Sequence, residues 1–148
     1  MKGFLGTYAG LAADLNLALQ VAMGMALFSG VCLARKKRYR AHGICAATVL
    51  ILNLFAIGLV MWPAFHEQVW PKIPARLGRM HYAIAAAHGA LGAVAEIFGI
   101  YIVVMAGTEI LPRAWQLRRW KFWMRVELGL WWLVLGTGIA MYINWYVR

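Results

Sequence analysis

The sequence predicts an all-α integral membrane protein, a four-helix bundle with both termini on the non-cytoplasmic side. Three observations lead there. The 148 residues are 64% hydrophobic, the apolar residues gather into four runs, and the charges gather at the breaks between them. Such a composition selects lipid over water as the solvent before any motif is weighed.

The runs are Leu15 to Ala34, Ile44 to Phe65, Met80 to Thr108 with Glu96 as its one interruption, and Leu128 to Val147. Each reaches the ~20 residues that a helix rising about 1.5 Å per residue needs to cross a hydrocarbon core about 30 Å thick. A backbone in lipid must satisfy its own hydrogen bonds, and no period-two alternation suggests a barrel, so the runs are read as helices. The connections, Arg35 to His42, His66 to Arg79 and Glu109 to Lys121, are too short for a second domain. Residues 1–148 therefore form one transmembrane unit. The apolar stretch after Lys2 leads directly into a full span, which argues against a cleaved signal peptide.

A net charge of +10 invites a nucleic-acid reading, but the positions of the charges exclude it. Arg35, Lys36, Lys37, Arg38, Arg40, Arg113, Arg118, Arg119, Lys121 and Arg125 lie at one membrane border. Lys2, Lys72, Arg76, Arg79 and Arg148 lie at the other. That asymmetry puts the first group in the cytoplasm and both termini outside, in a multi-pass arrangement across the inner membrane. Trp62, Trp70, Tyr82, Tyr142, Trp145 and Tyr146 fall at the outer border and read as an aromatic belt. The basic loops suit anionic headgroups of the lipid bilayer. Cys32 and Cys45 sit near cytoplasmic helix ends with no metal or redox spacing, and are read as packing residues.

A bilayer penalises ionisable groups, so those inside the spans are the functional candidates. His88 is the most informative, lying inside the third span within Ala-Ile-Ala-Ala-Ala-His-Gly-Ala-Leu-Gly-Ala. At about 100° per residue, His81, Ile84, Gly92, Ala95 and Gly99 share its face within about 40°. This stripe offers imidazoles beside little side-chain bulk, the clearance a flat macrocycle needs next to an axial ligand. Small residues on one face also simply let helices approach. His66 ends the second span after Trp62-Pro63, at a height within roughly 7 Å of His88 along the helix axes. His66 and His88 are thus the candidate ligands of haem b, with His81 and Gly92 lining the site. The same outer histidines, with His81 or Met80, would suit copper. Ala85, Gly89 and Gly92 around His88 resemble a bacteriochlorophyll-ligand helix, apart from Ile84. Glu96 and Glu127 suggest a proton route from the cytoplasmic side, although Glu127 is expected to pair with Arg125 or Arg119. No HExxH, phosphate loop, GxSxG or Ser/His/Asp set occurs, so no catalytic residue is assigned.

Leu15-Asn16-Leu17, Gly30, Arg40-Ala41-His42, His66, His88, and the Trp131, Gly138 and Tyr142 pattern together resemble the CtaM/YozB-like four-helix membrane proteins. That family is linked to cytochrome oxidase maturation, and its biochemical activity is unknown. The resemblance covers most of the chain in short motifs. It departs at Trp120, where the family carries a further histidine, which breaks the inner pair with His42. The resemblance implies a partner, a larger membrane complex such as a haem–copper oxidase. The expectations are then a small electron-transfer or accessory subunit holding haem b, a scaffold or assembly protein, or a pigment-binding subunit. A homo-oligomer is compatible with each.

Overall fold

The computed structural model describes residues 3–108, 110 and 112–147, with Arg113 given by its backbone. Lys2 and Arg148, used above in the charge asymmetry, Glu109 at the start of the third connection and the Arg113 side chain lie outside the described residues. Four helices are long and apolar enough to cross a membrane: α1 (Leu11–Arg35), α2 (Tyr39–Lys72), α3 (Met80–Gly107) and α4 (Trp120–Tyr146). They overrun the charge-free segments because interfacial polar residues continue each helix beyond the hydrocarbon. Short connections make sequence neighbours antiparallel, and α1 also packs on α4, which closes the ring.

The bundle is inside-out by the standard of a water-soluble protein. Leu59 and Ile97 are 75% and 69% exposed, as surfaces that meet lipid tails. Asp14, Asn53, Glu96 and Glu127 are buried. Met23, Val49, Leu50, Ala95, Trp131 and Val134 form the central core, and Val69, Tyr82 and Ala85 form a second cluster nearer the end that carries both termini. Of the aromatic residues assigned to an interfacial belt, Trp62 and Trp70 are exposed, whereas Tyr82 and Tyr142 are buried and Trp145 and Tyr146 half-buried. Helix azimuth turns those four inward, a property that membrane depth alone does not reveal.

Two local features set the geometry. The turn between α1 and α2 is closed by hydrogen bonds from Lys37 N–H to Ala34 O and from Arg38 N–H to Leu33 O, both 3.0 Å. Lys37 takes the left-handed conformation there, with φ of 59°, where glycine is the usual choice. In α2, residues Ile57–Met61 form a π-helical turn just ahead of Pro63. Trp62 N–H bonds five residues back, to Ile57 O, and Pro63 has no N–H to continue the α-helical ladder. The wider turn resets the azimuth of everything after it.

Helix contact depends on the small residues of α3. A Cβ on Gly99 would stand 2.7 Å from Leu50 Cδ2 on α2 and 2.8 Å from Glu127 Oε1 on α4, while one on Gly92 would meet Val134 Cγ1 at 3.8 Å. Gly99→Ala is expected to destabilise the bundle by ~1–3 kcal/mol through overpacking, and Gly92→Ala to leave it nearly unchanged. Thermal unfolding of both variants in one detergent checks the difference.

Candidate functional site

A cavity of about 130 Å³ lies between all four helices in the half of the bundle nearest the termini. His88 lines it from α3, Asn16 and Gln20 from α1, Phe65 from α2, and Tyr142 and Trp145 from α4. The His88 ring fits a notch made by a missing side chain, since a Cβ on Gly138 would stand 3.0 Å from its Cε1. Its Nδ1 is 3.2 Å from both Val134 O and Thr137 Oγ1. The Thr137 hydroxyl already has Leu133 O at 3.0 Å and Val134 O at 2.9 Å as acceptors for its one proton. A proton on Nδ1, donated to the Val134 carbonyl, satisfies the whole group and leaves the lone pair on Nε2. A backbone carbonyl fixing one ring nitrogen so that the other can act is the arrangement that ligand-holding histidines use.

Two further polar atoms of cavity-lining residues have no partner among the described residues. Asn16 Oδ1, an acceptor, and Trp145 Nε1, a donor, are both buried. Buried polar atoms are usually paired, so each orphan calls for an explanation.

The other expected ligands are elsewhere. His66 is exposed, does not line the cavity, and stands beside Trp62 with ring centroids 6.0 Å apart. Phe65 takes the inward position at that level, a consequence of the π-helical turn. His81 is half-buried against Tyr82 and Trp145, at ring-centroid distances of 4.4 and 5.1 Å. Met80 is exposed, and Gly92 faces Val134. The described residues therefore do not assemble a His66/His88 pair for haem b. The cavity is also well below the ~300–1,000 Å³ of ordinary ligand pockets, too small for a haem or bacteriochlorophyll macrocycle. No group of three or more His, Cys, Asp or Glu that could hold a metal ion occurs among the described residues, so a copper set is not assembled either.

A central polar chain lies deeper. Gln20 Nε2 donates to Asn53 Oδ1 at 3.0 Å, and Asn53 Nδ2 donates to Glu96 Oε2 at 2.8 Å. Trp131 Nε1 donates to Glu127 Oε1 at 2.8 Å. The expected pairing of Glu127 with Arg125 or Arg119 is not formed. Glu127 shares the inward face of α4 with Trp131 and Val134, whereas both arginines are exposed. His42 is a helix-to-helix contact, its Nδ1 2.9 Å from Gly30 O. Cys45 Sγ is likewise bonded to Ala26 O at 3.3 Å.

Sequence reasoning missed the strap of residues 3–10, which is bonded to Asp14, Tyr142 and Tyr146 at the end of the bundle that carries both termini. Asp14 is 0% exposed and accepts hydrogen bonds from Leu5 N–H at 3.0 Å, from the Thr7 hydroxyl at 3.4 Å and from the Tyr142 hydroxyl. Thr7 and Tyr142 lie 2.8 Å apart, and Tyr8 N–H reaches Tyr146 O at 3.1 Å. A carboxylate in the first turn of α1 also meets the positive end of the helix dipole. The one legible signal was an aspartate at a membrane border with no basic residue within a helical turn. Asp14→Ala should release residues 3–10 and lower the unfolding temperature, because three donors would lose their acceptor. Faster limited proteolysis ahead of Leu11, compared with the wild type, checks this. No protein-family model matches the chain, and no curated protein or solved structure does either.

Proposed function

We propose that the protein is a small, non-catalytic subunit or accessory factor of a membrane electron-transfer complex. In this reading it holds the ring of a lipid-soluble quinone in the terminal half of its bundle. One observation carries the reading: Asn16 Oδ1 and Trp145 Nε1, buried atoms without partners among the described residues, and the His88 ring, bonded through Nδ1, belong to residues around one mainly apolar cavity. A quinone carbonyl accepts from the Trp145 N–H, and the hydroxyl of its reduced form donates to His88 Nε2 or Asn16 Oδ1. Apolar walls match the ring faces and the first part of the tail. About 130 Å³ is the scale of a single small ring, so in this reading the ring's substituents and tail extend out of the cavity between the helices, whereas the larger macrocycles call for more room. The protein supplies orientation and a dry site, and the ligand supplies the redox chemistry.

The charge asymmetry supports a reading with the basic end in the cytoplasm and the cavity near the outer face of the inner membrane. Periplasmic accessibility of a C-terminal tag checks the orientation, and protection of that tag in intact cells would reverse it.

A second reading, an assembly factor or scaffold for a complex such as a haem–copper oxidase, is favoured by the exposed Trp62, His66 and Trp70 at the terminal end of α2. In that case the cavity is incidental to function.

Titration of purified protein with a short-chain ubiquinone analogue, read by quenching of tryptophan fluorescence, separates the readings. His88→Leu should weaken binding at least tenfold, about 1.4 kcal/mol, as expected for a lost buried hydrogen bond. His66→Ala should leave binding unchanged. Equal affinity of wild type and His88→Leu would reject the quinone site. A reducible Soret band that disappears in His66→Ala would restore the bis-histidine haem.

A further inference from the structure

Glu96 and Glu127 have no role in the ligand reading, yet they are acids buried inside the spans. They are 4% and 8% exposed. Glu127 extends from α4 onto α3, where its Oε1 is 2.8 Å from the place a Gly99 Cβ would occupy. Gly99 is one helical turn from Glu96, so the Glu127 carboxyl lies over the same part of α3 that carries Glu96.

Each carboxyl group has one oxygen supplied and one left over. Asn53 serves Glu96 Oε2, and Trp131 serves Glu127 Oε1. Glu96 Oε1 and Glu127 Oε2 are buried and meet no donor. The groups bonded to the pair come from α2 and α4, Asn53 and Trp131, with Gln20 of α1 behind Asn53, and none of them ionises. No lysine or arginine forms an ion pair with either acid among the described residues, Arg119 and Arg125 being exposed. His88, about two turns along α3, directs its ring to Val134 and Thr137. Two neighbouring carboxylates without a counter-ion in a bilayer core are costly twice over, by desolvation and by mutual repulsion. One proton removes the repulsion and one of the two buried charges, and it supplies an O–H donor where two leftover oxygens have none.

We propose that Glu96 and Glu127 form a proton-binding site in the middle of the membrane, one proton held between them, with Asn53 and Trp131 as positioning residues. Gln20 ties this site to the cavity, since it lines the cavity wall and donates to Asn53. The orientation of Asn53 is fixed from both sides, its amide nitrogen on Glu96 and its oxygen on Gln20. The pair stands whether or not a quinone occupies the cavity.

Infrared spectroscopy of the purified full-length protein at neutral pH tests it. The wild type should show the C=O stretch of a protonated carboxylic acid, moving to lower frequency in D2O. Glu96→Gln and Glu127→Gln, each alone, should abolish that band, because the new amide donates to the remaining acid and lets it ionise. Asn53→Leu should keep the band and shift it. The proposal is overturned if the wild type lacks the band, if it survives either single glutamine variant, or if Asn53→Leu leaves it unmoved. Unfolding temperatures of the glutamine variants near that of the wild type establish that the loss is not a loss of fold. The measurement needs no ligand, so its failure is separate from failure of the quinone titration.

Discussion

Lipid offers no hydrogen bonds, and this constraint orders the whole bundle. Polar side chains that would scatter over the surface of a water-soluble protein are drawn to the helix interfaces, where other side chains and backbone carbonyls satisfy them. The Gln20–Asn53–Glu96 chain links α1, α2 and α3. His88 links α3 to α4 through the Val134 carbonyl, and Asp14 links the N-terminal strap to α4 through Tyr142. Apolar packing between these points gains little over contact with lipid, so the polar contacts and the small residues beside them determine which faces meet.

The same constraint gives the leftover polar atoms their meaning. Satisfied groups such as Asp14 and the His88 Nδ1 hold the structure together. Asn16 Oδ1 and Trp145 Nε1 at an upper level and the free oxygens of Glu96 and Glu127 at a lower one do not, and His42 Nε2 is a further unpartnered atom near the basic end of the bundle. The upper level surrounds a cavity with donors and acceptors of both kinds, as a ligand that is both hydrogen-bonding and apolar requires. The lower level contains acceptors alone, a deficit that a proton corrects.

Glycine works in both places by what it omits. Gly138 makes the notch that admits the His88 ring, and Gly99 allows Glu127 to lie across α3. Glycine in a helix costs about 0.5–1 kcal/mol relative to alanine. Here the absent methyl groups are replaced by an imidazole and a carboxyl, so the loss of intrinsic helix stability accompanies a specific contact between helices.

Hydropathy and charge in the sequence determined the four helices, their approximate limits and their antiparallel order, because a bilayer selects apolar segments of one length whatever their neighbours. They also marked His88, Glu96 and Glu127 as costly groups, and the small-residue face of α3 as a packing surface. Tertiary structure alone decided which polar groups meet. The π-helical turn before Pro63 turns Phe65 inward and His66 outward, an azimuthal change that residue counting does not register. Glu127 faces Trp131 instead of an arginine because rotation of α4, more than depth, selects its partner. Gln20 and Thr7 gained their roles from residues on other helices. Depth in a membrane is additive along a chain and can be read from it, whereas azimuth depends on local helix winding and on the packing of all four helices at once.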